Sequence, residues 1–412
     1  MVAHKLNHTP SQPRLDSFPW ERIAVSALFL INGFVVGSWA PKIPEFAARL
    51  DLSEFGLGLM ILGFGVGSLL AMPLVGAANA RYGSSRIVRL LGFATCPTLL
   101  LITLAPTVAT AAVTVMLLGA LVGGMDIAMN VNAVAVEKRM RRAIMSSCHG
   151  FWSLGGLLGA VLGGPMIVLL GILGHALAVM MITLIILLAV SGKILHDAPA
   201  ATGETQRLRL PASPLPYLLG VVALFSMIPE GAVLDWGALY LRQELGADLV
   251  ASGFGFGAFS ATMAIMRFAG DRVRNRFGAV ATLRICTVFA LVGFLAAGFS
   301  AKPILVIAGF AVAGIGISNM IPIAFSAAGN LPGLPAGIGL SIVTFMGYSG
   351  LLAAPSVIGF IGEYISFSVV FIGLSSLFVV VLGLSHLVAP ADNLVACVSF
   401  AVNQAGSQSQ GR

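Results

Sequence analysis

The sequence predicts an all-α membrane protein, with twelve transmembrane helices arranged as two pseudo-symmetric six-helix bundles. Three observations carry that prediction. Lys, Arg, Asp and Glu make up only 9 % of the 412 residues, where a soluble domain carries roughly 25 %. The hydrophobic set is 58 % and mean hydropathy is +0.98, more apolar surface than one or two soluble cores can cover. Second, the apolar residues come in continuous runs, such as ITLIILLAV at 182–190 and VVFIGLSSLFVVVLGL at 369–384. Strands of a membrane barrel would instead alternate at every second residue, in segments of about ten. Third, cutting the chain into twelve spans of about 20 residues each sorts 19 Lys and Arg onto one side and 4 onto the other. Basic residues gather in cytoplasmic loops, so the asymmetry supports an even span count with both termini inside.

Taken in order, charged, Pro and Gly breaks delimit the spans at 22–40, 55–78, 86–105, 109–135, 144–169 and 172–194. A polar linker follows at 195–214, HDAPAATGETQRLRLPASPL. Spans seven to twelve fall at 215–242, 249–269, 279–299, 303–328, 335–361 and 365–389. The expected organisation is a cytoplasmic tail at 1–21, a first bundle at 22–194, the linker at 195–214, a second bundle at 215–389 and a cytoplasmic tail at 390–412. The two halves repeat each other. Arg81-Tyr82-Gly83 falls on Arg276-Phe277-Gly278 and Arg89 on Arg284 at a shift of 195, and Gly155-Gly156-Leu157-Leu158 falls on Ser349-Gly350-Leu351-Leu352 at 194. A shift that long reads as a duplicated domain.

Several function classes drop out. The net charge of +7 is scattered over small loop clusters without aromatic interleaving, which is not the contiguous footprint of a nucleic-acid binder. Cys96, Cys148, Cys286 and Cys397 lie at least 52 residues apart, so neither a disulfide framework nor a metal site is expected. No nucleotide-binding Gly-x-x-x-x-Gly-Lys loop occurs. Cys148-His149 has none of the company of a hydrolase nucleophile. No enzyme activity and no cofactor is expected.

The loop Gly76-Ala-Ala-Asn-Ala80-Arg81-Tyr82-Gly83-Ser84-Ser85-Arg86 resembles the G-x-x-x-D-R-x-G-R-R signature of the major facilitator superfamily, with Ala80 in the place of the Asp. Gly155-x-x-x-Gly159-Ala160-x-x-Gly163-Gly164 is similar to the GxxxGPxxGG stretch of exporters in that superfamily, with Ala160 in the place of the Pro; small residues at these spacings are also enough to bring two helices into close contact. Asp126-Ile-Ala-Met-Asn130 and Glu230-Gly-Ala-Val-Leu-Asp235-Trp236 resemble stretches of the fucose–proton symporter branch. The run from Met129 to the segment Ser146-Ser-Cys-His149-Gly-Phe-Trp-Ser-Leu-Gly-Gly looks closer to an uncharacterised bacterial inner-membrane group within the superfamily. An acid at the outer end of span one, as in the fucose symporters, is missing; Trp39-Ala40-Pro41 stands there. The resemblance implies the major facilitator fold, with spans one, four, seven and ten around a central cavity and the loops at Arg81, Gly83, Arg276 and Gly278 acting as an inner gate.

Residue by residue, the acids inside apolar runs are Asp126 and Glu230, with Asp235 nearer the outer end of span seven; Arg and Lys are read as absent from span centres. A carboxylate in hydrocarbon costs roughly 2.5–3.5 kcal/mol, so such groups face a bundle interior or wet cavity and mark an ion path. These three are the candidate proton-coupling residues, against the plainer reading of structural acids. Asn130 shares a helix face with Asp126, and Gly119, Gly123 and Ala133 extend that face. Asn32, Trp39, Asn130, Trp236 and Asn319 are the candidate substrate-binding residues. Amides both donate to and accept from hydroxyls, and a Trp face suits the C–H face of a sugar. Trp39 equally fits an interfacial belt, and Asn32 and Asn319 equally fit packing. His149, near the inner boundary, is a further gate candidate. The expected function is a secondary transporter in a bacterial-type inner membrane. It would carry a small polar, sugar-like solute with protons by alternating access and act as a monomer, with small-molecule substrate, protons and lipid bilayer as its partners. The alternative is a proton-antiport exporter of amphipathic compounds.

Overall fold

The computed structural model describes residues 20–52, 54–197, 211–247 and 249–392. The N-terminal tail before residue 20, linker residues 198–210 and the tail from 393 lie outside the described residues. The described chain is helical throughout, because every apolar run must close its own backbone hydrogen bonds in lipid. The helices are α1 (Trp20–Trp39), α2 (Ile43–Arg49), α3 (Glu54–Tyr82), α4 (Ser84–Thr95), α5 (Thr98–Leu104), α6 (Val108–Met140) and α7 (Met145–Ser191). After the linker come α8 (Leu215–Gln243), α9 (Leu249–Phe277), α10 (Ala279–Phe299), α11 (Pro303–Ile317), α12 (Met320–Gly329), α13 (Ala336–Tyr364) and α14 (Phe367–Leu384).

Among the described residues, nine helical stretches are long and apolar enough to cross a membrane. One of them, α7, is two helices joined at Gly171, whose φ of 70° and ψ of 171° leave the helical region. His175 comes back to within 3.4 Å of the point where a Cβ on Gly163 would sit, so the chain reverses there. Counting α7 as two and adding α9 and α13, each of 29 residues, makes twelve passes. The third pass is broken between Thr95 and Thr98, where Pro97 cannot donate. The tenth is broken at Ser318–Asn319. The twelfth ends earlier than the apolar run suggested, and Ser385–Asp392 continues as a 3₁₀ helix that belongs to the packed structure rather than to a tail.

Close helix approach is set by glycine. A Cβ on Gly33 would lie 2.0 Å from the Trp152 carbonyl oxygen, and one on Gly155 would lie 2.1 Å from that of Leu30. The glycine stretch of α7 therefore serves its contact with α1. Gly119 and Gly123 do the same between α6 and α3, against the Phe64 backbone and the Ser68 hydroxyl. These two are packing residues, not part of the polar wall expected beside Asp126.

The duplication extends to helix starts. Gly83 and Gly278 precede α4 and α10 with φ of 82° and 81°, a region that other residues enter only with strain. Asp197 accepts from the backbone N–H groups of Ser84 (2.8 Å) and Ser85 (3.0 Å). Asp392, 195 residues later, accepts from that of Ala279 (2.6 Å). Each carboxylate thus satisfies donors that a helix leaves unpaired at its start.

Candidate functional site

In the first half, α6 carries a polar face toward the start of α7. Asp126 is 5 % exposed and Asn130, one turn on, is fully buried. The Asn130 amide nitrogen donates to the Asp126 carbonyl oxygen (2.8 Å) and to its carboxylate Oδ1 (3.3 Å). Asn130 Oδ1 lies 3.2 Å from His149 Nε2, an arrangement that makes the ring nitrogen the donor. Phe29 and Phe325 hold the imidazole edge-on, with ring centroids at 5.2 and 5.8 Å. The second carboxylate oxygen of Asp126 has no hydrogen-bond partner among the described residues.

In the second half, α8 presents Glu230 just after Pro229, which removes one helical donor. Glu230 Oε1 is 3.6 Å from Arg267 Nη2 on α9. Arg267 is 3 % exposed. It donates through Nη1 to Ser153 Oγ (2.7 Å) and through Nε to the Ser318 carbonyl at the break in the tenth pass (3.4 Å). Ser153 Oγ in turn donates to the His149 carbonyl (3.1 Å). A polar path thus runs Asp126–Asn130–His149–Ser153–Arg267–Glu230, crossing from one half to the other. Tyr348, on α13, lies within electrostatic reach of both acids.

Arg267 corrects the sequence reading, which counted it among the cytoplasmic cations at the end of span eight and found no Arg or Lys at span centres. Helix α9 continues for ten residues beyond it, about 15 Å of helix, and its guanidinium is buried between the halves. The signal available in the sequence was the Phe-Ala-Gly stretch that separates Arg267 from the charged run at Asp271-Arg272. Trp152 was also missed. Its indole N–H donates to Asn32 Oδ1 (2.9 Å), and the Asn32 amide donates to the Val122 carbonyl (3.1 Å). Asn32 therefore spends both ends of its amide on tying α1 to α6 and α7.

The remaining candidates are spread out. Asn319 is fully buried at the α11–α12 break, donates to Ser318 Oγ (2.9 Å), and packs against Gly270. Trp39 meets Phe46 edge-on at 5.1 Å beyond the far end of α1. Trp236 stacks on Phe367 at 5.4 Å, and its indole N–H has no partner among the described residues. Asp235 is exposed. None of these four belongs to the polar path.

On the face that carries the basic loops, the halves are latched. Glu137, fully buried at the end of α6, accepts from Arg274 Nη1 (2.8 Å), Ser326 Oγ (2.6 Å) and the Ile144 N–H (3.0 Å). Asp271 on α9 accepts from the N–H groups of Ser146 (2.9 Å) and Ser147 (3.0 Å), which begin α7, and from the Ser147 hydroxyl. Arg22 donates to the hydroxyls of Ser147 and Ser26 and to Cys148 Sγ. Lys138 Nζ donates to the Gly329 carbonyl (3.1 Å). The expected gate arginines play a quieter part: Arg81 lies over the ring of Tyr82 at 5.2 Å and Arg276 over that of Phe277 at 5.5 Å. Glu137 thus forms an ion pair with Arg274 of the other half.

Comparison with known proteins agrees with this architecture. Residues 25–328 match the Major Facilitator Superfamily. An uncharacterised MFS-type transporter of Yersinia pestis is 35 % identical over 375 residues, covering 90 % of this chain and 95 % of that one. Membrane protein MosC of Rhizobium meliloti is 31 % identical over 415 residues, 95 % of each chain. Among solved structures, the MFS transporter FucP in its outward conformation superposes with a TM-score of 0.78 at 15 % identity, over 89 % of this chain and 98 % of that one.

Proposed function

The chain belongs to the Major Facilitator Superfamily, and from that premise we propose that this secondary transporter moves a small, hydroxyl-bearing solute together with protons. The observation that carries the reading is the polar path itself. It places one buried or half-buried acid in each half, Asp126 and Glu230, and joins them through His149, Ser153 and Arg267. A membrane-embedded acid with an unpartnered oxygen is a natural proton acceptor. A proton arriving on Glu230 removes the charge that faces Arg267, and the same guanidinium bonds Ser153 of the other half. Protonation and the contact between halves therefore meet in one side chain, which is what coupling requires. That FucP is described as an E. coli fucose:proton symporter supports proton coupling by analogy of fold.

The latch on the basic face and the likeness to an outward conformation support the reading that this state is closed toward the cytoplasm. The 19-to-4 charge asymmetry supports cytoplasmic termini, and the bacterial relatives support an inner membrane. Asn130, Trp152 and Tyr348 are the proposed solute contacts, the last two because they border the path and are only partly buried.

The test uses purified protein in proteoliposomes and a panel of neutral monosaccharides and polyols. Solute-driven alkalinisation of the outer medium is expected for at least one member. Asp126→Asn is expected to abolish gradient-driven uptake of that solute while keeping binding and exchange between preloaded vesicles. Uptake that survives in the Asn variant removes Asp126 from coupling, and loss of exchange as well makes it a binding or structural residue.

A further inference from the structure

A second polar site lies away from the path, at the rim of the first half on the basic face. A cleft of about 340 Å³ opens between the start of α1, the end of α6 and the end of α7, lined by Trp20, Glu21, Arg139, Lys193 and His196. Lys193 holds its ammonium 4.9 Å above the Trp20 ring. Arg139 Nη1 is 3.1 Å from Glu21 Oε1. Arg89 Nη2 reaches His196 Nε2 at 3.1 Å. The nearby Asp197 is committed to the N–H groups of Ser84 and Ser85. Among the described residues, neither Lys193 nor Arg89 has a carboxylate within ion-pair distance, so the cleft carries excess positive charge.

Its surroundings are those of a headgroup level. Trp20 is 62 % exposed, and Ile23, one turn further into the membrane, is exposed beside it. On α7, Leu188 and Ile185 are exposed one and two turns before the cleft. A cationic pocket thus sits on top of an apolar stripe, with an aromatic ring at the boundary where Trp collects. A freely soluble anion would use the pocket but not the stripe.

We propose that this cleft binds the phosphate of an anionic phospholipid, with Lys193 as its main cation, Arg139 as a second donor and the acyl chains lying along Ile23 and Leu188. Basic pockets on this face of a membrane protein attract anionic headgroups, each Lys or Arg strengthening binding about fivefold. The site belongs to the first half alone, so it does not depend on the proposed transport cycle.

The test is direct. Full-length protein in neutral detergent is titrated with phosphatidylglycerol, phosphatidylcholine or inorganic phosphate, and retained adducts are counted by native mass spectrometry. Phosphatidylglycerol adducts are expected to outlast phosphatidylcholine adducts, and Lys193→Gln is expected to weaken them about fivefold. Lys302→Gln, on the opposite face, is expected to leave them unchanged. Wild-type protein provides a second reading that needs no charge variant: phosphatidylglycerol brominated on its acyl chains should quench a part of the Trp emission that brominated phosphatidylcholine does not, and Trp20→Phe should remove that part. Equal retention of both lipids, an unchanged Lys193→Gln variant, or saturation of the site by inorganic phosphate without lipid preference each overturns the proposal.

Discussion

The two seams between the halves occupy equivalent places in the duplicated sequence yet are built from different chemistry. Ser146 at the start of α7 and Ser341 near the start of α13 are 195 residues apart, and so are Gly76 on α3 and Asp271 on α9. At the α7–α9 seam, the Asp271 carboxylate receives the N–H groups of Ser146 and Ser147. At the α3–α13 seam, the same place holds Gly76, where a Cβ would lie 1.8 Å from Ser341 Oγ and 2.8 Å from the Gly337 carbonyl oxygen. Ser341 Oγ donates instead to the Met72 carbonyl (2.9 Å), and Met72 is the counterpart of Arg267. One seam is held by charge-assisted hydrogen bonds and the other by close backbone contact. Only the first can respond to the arrival or loss of a charge; the second is a fitted surface that shape alone controls.

The contrast can be broken most forcefully through the buried ion pair. Arg274→Met leaves Glu137 buried without its cation, and removing one partner of such a pair costs about 3–5 kcal/mol. The basic face is expected to open, which spin labels at Arg141 and Arg272 would read as a longer distance, and Glu137→Gln in the same chain is expected to restore most of the closed population. An unchanged distance in the single variant would place the closing energy elsewhere. At the other seam, Gly76→Val forces a branched side chain into backbone. Overpacking of this kind costs about 1–3 kcal/mol, and the melting temperature in detergent should fall while sensitivity of the melt to pH stays that of the parent. A variant as stable as the parent would show that the seam is loose. The smallest pair sharpens the comparison. Asp271→Asn keeps one oxygen to accept and sets an amide NH2, which cannot accept, against the other N–H, a loss of about 1–3 kcal/mol, while Ser341→Ala removes a single bond worth about 1 kcal/mol. The melting shift of the first should exceed that of the second; the reverse order would refute the assignment of charge to one seam only.

Much of the fold was written in composition and periodicity, because lipid leaves a chain no alternative to apolar helices. Asp126 and Asn130 were legible for a related reason: acids are costly in hydrocarbon, and a spacing of four fixes a shared face. Arg267 was not legible. Its neighbours in sequence are charged, so it reads as part of a loop, and only the length of α9 and the partner on α8 bring it inside. Trp152, Asp197 and Asp392 escaped notice because their roles rest on partners more than a hundred residues away or on a duplication visible only once Gly83 and Gly278 are seen in the same backbone conformation. A linear pattern reports what a residue costs, whereas its role depends on what it meets.

The reversal at Gly171 has a practical side. Val168 and Leu169 beside it are 85 % and 80 % exposed, and the two arms of α7 leave no polar connector between them. This corner therefore offers no epitope and no cleavage site, and a tag or reporter spliced into it would have to drag apolar side chains into water. Insertions belong elsewhere on that face, in the segment after α10, where Ala301 and Lys302 already lie open.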